Sequence, residues 1–430
     1  MELKQAEPNP TLSFVLELGL LLVILSALTL HGAVADVFWY PTALLVVIIF
    51  CASLLGWDLG LLPGPRMVGL EIFFILWLML LIFSGLLSSH AWMSVYALER
   101  VIIALLFFYL MLWHFSGRQR EKVLLWSLFG FPAIICIISI MFYLSKKPGR
   151  FPFLANQKCV QGTLVNHNNL AGLVILGFFL GLGLAMGLRR KEGEFRSELI
   201  ARVAILAIPL AALLLGLGFS LSRSGWMAFV FSAAAFFVWL EFFSRRKILR
   251  NYLVLVLVII FLATVLSVLL GKNLVKERAF SLSGFFRDPA SGLTLTGREM
   301  IWKSTLGMIR DHPLLGIGPG NYWLEYPHYR SPGDFWGEHH AHNDFLQMTA
   351  EAGLGSSLLL VWLLAAAWQV WRRNYRQEMT RFQRRVSMGI LLGMFGFLLQ
   401  DQVDFHFYIP GLAYYFLALA AFLVRPRGER

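Results

Sequence analysis

Two arginines and a close set of histidines are the residues of this chain best suited to chemistry. Arg223 lies in Ser220-Leu221-Ser222-Arg223-Ser224-Gly225-Trp226, at the start of an apolar run. Arg298 lies in Thr296-Gly297-Arg298-Glu299, at the start of an amphipathic one. A cation in a first helical turn opposes the macrodipole, so helix stability does not explain it. Unused N–H groups plus a guanidinium at a helix start make an anion site. The alternatives are an ion pair of Arg298 with Asp288 or Glu338, and a lone basic residue in a tight turn for Arg223. Two such arginines suit a diphosphate better than one carboxylate.

The segment Glu338-His339-His340-Ala341-His342-Asn343-Asp344 supplies the histidines. Neutral imidazoles bind zinc well. However, no carboxylate stands at a familiar ligand spacing here, and no metal is expected. Imidazole titrates near neutral pH, which suits a general base. His342 is the better placed, because Asn343 and Asp344 follow and a helix entrance orients a side chain. The doublet His339-His340 leaves the choice between His340 and His342 open, and His328 and His339 suit ordinary loop hydrogen bonds. Ser222, His340 and Asn343 are candidate substrate contacts beside these groups. A further polar segment, Gly162-Thr163-Leu164-Val165-Asn166-His167-Asn168-Asn169, runs into an apolar helix. Asn166, Asn168 and Asn169 are either helix caps or hydrogen-bonding groups for sugar or phosphate. Five carboxylates fall in apolar runs, where ionisable groups mark function by default. Glu17 is expected to be buried against a neighbour, and Glu71 and Glu241 to reach the interface. Asp401 and Asp404 end a run near the candidate site, with His406 just beyond.

The elements that must hold these residues are membrane helices. Hydrophobic residues make up 58% of the 430, and charged ones 14%, against about half and a quarter in soluble domains. In this setting the net charge of +12 reads as basic cytoplasmic loops, not as nucleic-acid binding. Three cysteines support neither a disulfide framework nor a zinc site. Met1 to Pro10 lacks a basic n-region and a small-residue cleavage site, so the first run is expected to be a retained helix. A bilayer core of roughly 30 Å needs about 20 apolar residues per helix. Twelve runs meet this: 11–31, 37–55, 67–87, 92–115, 122–145, 168–188, 200–220, 224–243, 249–270, 351–371, 386–404 and 408–424.

With the N-terminus inside, every short, strongly basic loop lands on one side: 118–122, 189–191, 245–250, 372–385 and the C-terminal tail. The expected fold is therefore an all-α polytopic membrane protein with both ends cytoplasmic. Helices one to nine occupy 1–270, a large outer loop bearing short amphipathic helices occupies 271–343, and helices ten to twelve with a tail occupy 344–430. Within the loop, Thr296 and Glu299 fit a capping box. They start a helix that should end at about Asp311, before Pro313 and Gly316-Ile317-Gly318-Pro319-Gly320. Glu299, Lys303 and Arg310 share its polar face; Arg298 lies with Ile301, Trp302, Thr305, Met308 and Ile309 on the other. Aromatics such as Tyr322, Trp323, Tyr326 and Tyr329 suggest a loop lying on the membrane.

Taken together, these segments resemble the O-antigen ligase and polymerase superfamily of bacterial membrane glycosyltransferases. The pieces are Gly162 to Ala171, Ser222-Arg223-Ser224-Gly225-Trp226, Gly297-Arg298-Glu299-Met300-Ile301-Trp302, His312 to Gly318, and His340 to Gln347 running into Glu351-Ala352-Gly353-Leu354-Gly355. They fall in the family's order over about 150–370, most like the ligases. The resemblance implies an inner-membrane enzyme acting at the periplasmic face without cofactor or metal. Its donor would be a glycan on undecaprenyl diphosphate, held by Arg223 and Arg298, and His342 would be the base. The acceptor would be a sugar hydroxyl of lipid A-core in a ligase, another glycan in a polymerase, or a protein hydroxyl in an oligosaccharyltransferase. A separate class, an anion transporter, would place its polar groups near the bilayer midplane on repeated, broken helices. Here the polar groups gather at one edge, and no repeated halves are evident.

Overall fold

The structure is a computed structural model, and it describes residues 9–115, 117–145, 159–188, 196–243, 295–331 and 339–427. The described residues are helical, without strands. The helices are α1 Pro10–Thr29, α2 Asp36–Asp58, α3 Glu71–Leu86, α4 Ala91–His114, α5 Arg118–Ser145, α6 His167–Gly187, α7 Arg196–Ser220, α8 Arg223–Phe243, α9 Leu295–Asp311, α10 Tyr322–Tyr329, α11 Asp344–Gln377, α12 Arg381–Asp401 and α13 Pro410–Val424. Seven of them (α1, α2, α4, α5, α6, α11 and α12) are long and apolar enough to cross a membrane, and four shorter apolar helices lie in α3, α7, α8 and α13. The run at 249–270 lies outside the described residues, as do Asp288 and Glu338.

Helix α6 is the centre of the bundle, buried along nearly its whole length. It can be so because glycines let its neighbours come close. A Cβ on Gly389 of α12 would stand 2.3 Å from the Phe179 carbonyl oxygen and 2.9 Å from the Gly183 Cα. Small residues at such a contact replace the hydrophobic drive that lipid removes. The outer helices turn large apolar side chains outward instead, as Phe14, Leu18 and Leu22 do on α1.

Basic side chains collect at one end of the bundle. Arg120 pairs with Glu17 at 2.9 Å, as expected of a buried Glu17, and Arg427 with Glu121 at 3.2 Å. Arg385 donates to the Met186 carbonyl at the close of α6. Glu71 accepts from the Val68 amide at the start of α3. The starts of α6, α8 and α11 and the end of α12 lie at the opposite end.

Over that opposite end sits a smaller apolar cluster of Ile301, Met308, Ile317, Tyr322, Tyr326, Ala341 and Ala350. Tyr322 and Tyr326 stack at 5.6 Å, and the Tyr322 hydroxyl meets Thr305 Oγ1 at 2.7 Å. These tyrosines therefore build a core of their own; they do not form the interfacial belt that composition suggests. Trp323, by contrast, is exposed.

The cluster is joined to α11 through a break in that helix. Gly353 takes φ 77° and ψ 173°, which interrupts the i→i−4 ladder. The orphaned carbonyls of Ala350 and Glu351 accept from Ile317 and Gly318 N–H at 2.9 and 2.8 Å, and Leu354 N–H donates to Pro313 O at 2.9 Å. The Pro313–Gly318 strap thus takes over the bonds the broken helix gives up. Buried backbone groups demand partners, and at membrane depth broken helices persist only where the protein supplies them.

Candidate functional site

Helix α9 runs Leu295–Asp311 and stops where Pro313 predicts. Glu299, Lys303 and Arg310 are exposed, and Ile301, Thr305 and Met308 are buried. The start differs from the expected one: the helix begins at Leu295, so Thr296 falls inside it and not at its cap. Arg298 is half-buried one turn before Trp302. Trp302 Nε1 donates to the Ala341 carbonyl at 3.1 Å. Ala341 is fully buried, and its N–H donates to Gln347 Oε1 at 3.0 Å. The residue between the two candidate histidines is thus fixed at both backbone ends.

His340 and His342 both pack on Phe405. The His340 ring lies nearly parallel to it, 4.4 Å between centroids and 14° between planes. His342 meets the same ring edge-on at 5.1 Å and 75°. His342 also has φ +49°, a left-handed conformation that non-glycine residues adopt only when their surroundings impose it. Tyr408 stands 4.9 Å from His340. His339 and His328 are exposed, His339 near the Trp323 ring at 5.8 Å.

Three of the polar candidates turn out to be helix caps, as their residue types favour. Asn166 Oδ1 accepts from the Asn168 and Asn169 amides at 2.8 and 3.0 Å. Ser222 is fully buried, and its Oγ accepts from Gly225 N–H at 3.1 Å. Asn343 uses both ends of its amide: Oδ1 accepts from Leu346 N–H at 3.0 Å, and Nδ2 donates to Gln402 O at 3.0 Å. Ser222 and Asn343, expected as substrate contacts, set helix starts as well. Asn168 is half-exposed, and its carbonyl accepts from Gln400 Nε2 at 2.9 Å. Asn169 is fully buried, with neither amide atom satisfied among the described residues.

A chain of contacts links the two arginine-bearing starts. Trp302 ties Arg298's helix to Ala341. Asn343 reaches Gln402 at the end of α12, and Gln400 reaches Asn168 at the start of α6. Gly225 of α8 then packs on Ala171 of α6, so closely that a Cβ on Gly225 would stand 2.6 Å from that of Ala171. Arg223 opens α8 there, half-buried, one residue after its cap. The N-termini of α6, α8 and α11 and the two arginine-bearing helix starts therefore lie at one end of the bundle. N–H groups and macrodipoles at such ends favour an anion.

Beneath the histidines lies a buried acidic set that composition alone did not organise. Asp344, Asp401 and Asp404 are all buried. Asp401 Oδ1 lies 3.6 Å from His406 Nδ1. Glu351 is a second hub: Tyr408 Oη donates to it at 3.0 Å, Gln347 Nε2 at 3.1 Å and Gly320 N–H at 3.1 Å. Among the described residues, no three His, Cys, Asp or Glu side chains group as a metal site.

Residues 208–361 match the family model described as O-antigen ligase. No curated protein matches the chain.

Proposed function

We propose, from the match of residues 208–361 to the O-antigen ligase family model, that this membrane protein transfers a glycan from undecaprenyl diphosphate to a sugar hydroxyl of lipid A-core at the periplasmic face of the inner membrane. The observation that carries the reading is the convergence of the Arg223 and Arg298 helix starts with the His340–His342 segment, at the end of the bundle opposite the basic loops. By the positive-inside rule that end is periplasmic.

His342 takes the proton of the acceptor hydroxyl. The acceptor oxygen attacks the anomeric carbon, and the bond from that carbon to the diphosphate oxygen breaks with inversion. Negative charge grows on the departing undecaprenyl diphosphate. In this reading Arg223, Arg298 and the helix N-termini neutralise that charge, and preorganised donors aimed at developing charge are usually the largest electrostatic aid to catalysis. No nucleotide or metal enters the step. Holding the acceptor hydroxyl against the donor would supply the remaining rate through proximity.

The test is transfer from purified undecaprenyl diphosphate-linked glycan to lipid A-core by Arg223→Ala, Arg298→Ala and His342→Ala proteins. Full activity in all three would sink the assignment. Deletion in the native host names the acceptor. Loss of long bands from lipid A-core with accumulation of lipid-linked polymer marks a ligase, and single-repeat bands mark a polymerase. Unchanged bands point to another glycan or a protein hydroxyl as acceptor. Ion uptake into liposomes by the purified protein would favour a transporter instead.

A further inference from the structure

We propose that Phe405, which lies beyond the matched stretch, is a positioning residue for the histidine pair, held in place by the three buried aspartates. The inference rests on the transferase reading and names a part of its site.

The turn between α12 and α13 presents Phe405. Three consecutive backbone amides in it are each held by a different carboxylate. Phe405 N–H donates to Asp404 Oδ1 at 3.1 Å, His406 N–H to Asp401 Oδ1 at 3.0 Å, and Phe407 N–H to Asp344 Oδ2 at 2.7 Å. Buried N–H groups and carboxyl oxygens each need a partner, and in a low-dielectric interior the bonds between them gain strength. The cost of burying three carboxylates is large unless they are bonded, so the cluster needs a reason, and fixing this turn supplies one. His406 adds to the lock: it is fully buried, its ring lies 4.8 Å from Phe397, and a Cβ on Gly172 of α6 would stand 3.2 Å from its Nε2.

Asp344 has a double part. It holds Phe407 and opens α11, two residues after His342. The carboxylate therefore ties the turn that carries Phe405 directly to the segment that carries both histidines. With Ala341 pinned by Trp302 and Gln347, the two imidazoles are set against one phenyl ring. His340 lies flat on it and packs on Tyr408, while His342 meets it edge-on. This arrangement assigns His340 to support and His342 to proton transfer.

Phe405→Leu keeps the apolar volume of the turn and removes the flat face; Phe405→Trp restores a face. Measured on the full-length protein in lipid nanodiscs, with undecaprenyl diphosphate-linked glycan and lipid A-core, Phe405→Leu should lower kcat about 10- to 100-fold, the scale of a misplaced catalytic group. KM for the donor should stay within about twofold, because the arginines that hold it are untouched. Phe405→Trp should regain most of kcat. Wild-type kcat in Phe405→Leu, beside an inactive His342→Ala, would overturn the inference and leave the transferase reading standing. A loss confined to donor KM would also overturn it. Full activity in His342→Ala would overturn the base assignment, and the positioning role with it.

Discussion

The His340 ring stacks on Phe405 at 4.4 Å, whereas His342, two residues on, meets that ring at 75°. Neighbouring imidazoles of one motif therefore sit in different geometries, and their substitution should separate them. His342→Ala is expected to reduce transfer about 10²- to 10⁴-fold, the range of a lost general base. His340→Ala should cost less than about tenfold. Single-turnover kinetics with saturating donor would show the difference; equal losses would mean that the pair acts as a unit.

Asp404 provides a test of the turn itself. Its Oδ1 accepts from the Phe405 amide, and asparagine can offer the same oxygen. Asp404→Asn should leave thermal stability in detergent nearly unchanged. Asp404→Ala leaves a part-buried N–H unpaired and should cost about 1 kcal/mol, seen as a lower unfolding midpoint with a parallel loss of kcat.

Two glycines on α11 should respond in opposite ways. At Gly353 a Cβ would stand 2.1 Å from the Leu314 carbonyl oxygen, at φ +77°. At Gly355 the nearest atom is 3.5 Å away. Gly353→Ala is expected to destabilise the outer cluster by more than about 3 kcal/mol, combining strain of order 1–3 kcal/mol with a backbone clash. Gly355→Ala should be tolerated. Limited proteolysis between α9 and α11, compared across the two variants, reads this directly.

Tyr408 gives a pH dependence. Burial, reinforced by the Glu351 carboxylate beside it, pushes its phenol well above the ordinary 10.0. In the unfolded chain it ionises near 10, so the stability it contributes is complete below that pH and falls as pH rises beyond it. Tyr408→Phe should lose about 0.5–1.5 kcal/mol at neutral pH, the worth of one hydrogen bond. It should also flatten the alkaline fall of the unfolding midpoint above about pH 10. An alkaline limb identical to wild type would contradict this.

Much of the scaffold is legible in the chain because length and apolarity act locally. The runs at 11–31, 122–145 and 168–188 became α1, α5 and α6, and Pro313 stopped α9 at Asp311. The polar face of α9 followed from its 3.6-residue period. The helix entrance at Asn343-Asp344 was legible too; the break at Gly353 and its repair by the strap were not, because they rest on backbone bonds to a segment more than 30 residues away. The caps were legible only as one of two readings, since asparagine and serine serve helix starts and sugars with the same atoms. Phe405 was not legible at all. Its ring partners His340 and His342 lie more than 60 residues away, Asp344 accepts from Phe407 at a similar separation, and no spacing within a motif encodes a pairing of that range.

The stitching of the strap to the broken α11 has a practical consequence for exchanging specificity. The surface proposed to face an acceptor is assembled from noncontiguous lengths of chain, joined by backbone bonds such as those of the strap to α11. A transplanted outer segment would arrive without the carbonyls of Ala350 and Glu351 that hold its strap, or without the turn that carries Phe405. A chimera intended to change the acceptor should therefore carry 295–331, 339–354 and 401–409 as one unit and place its junctions inside the membrane helices.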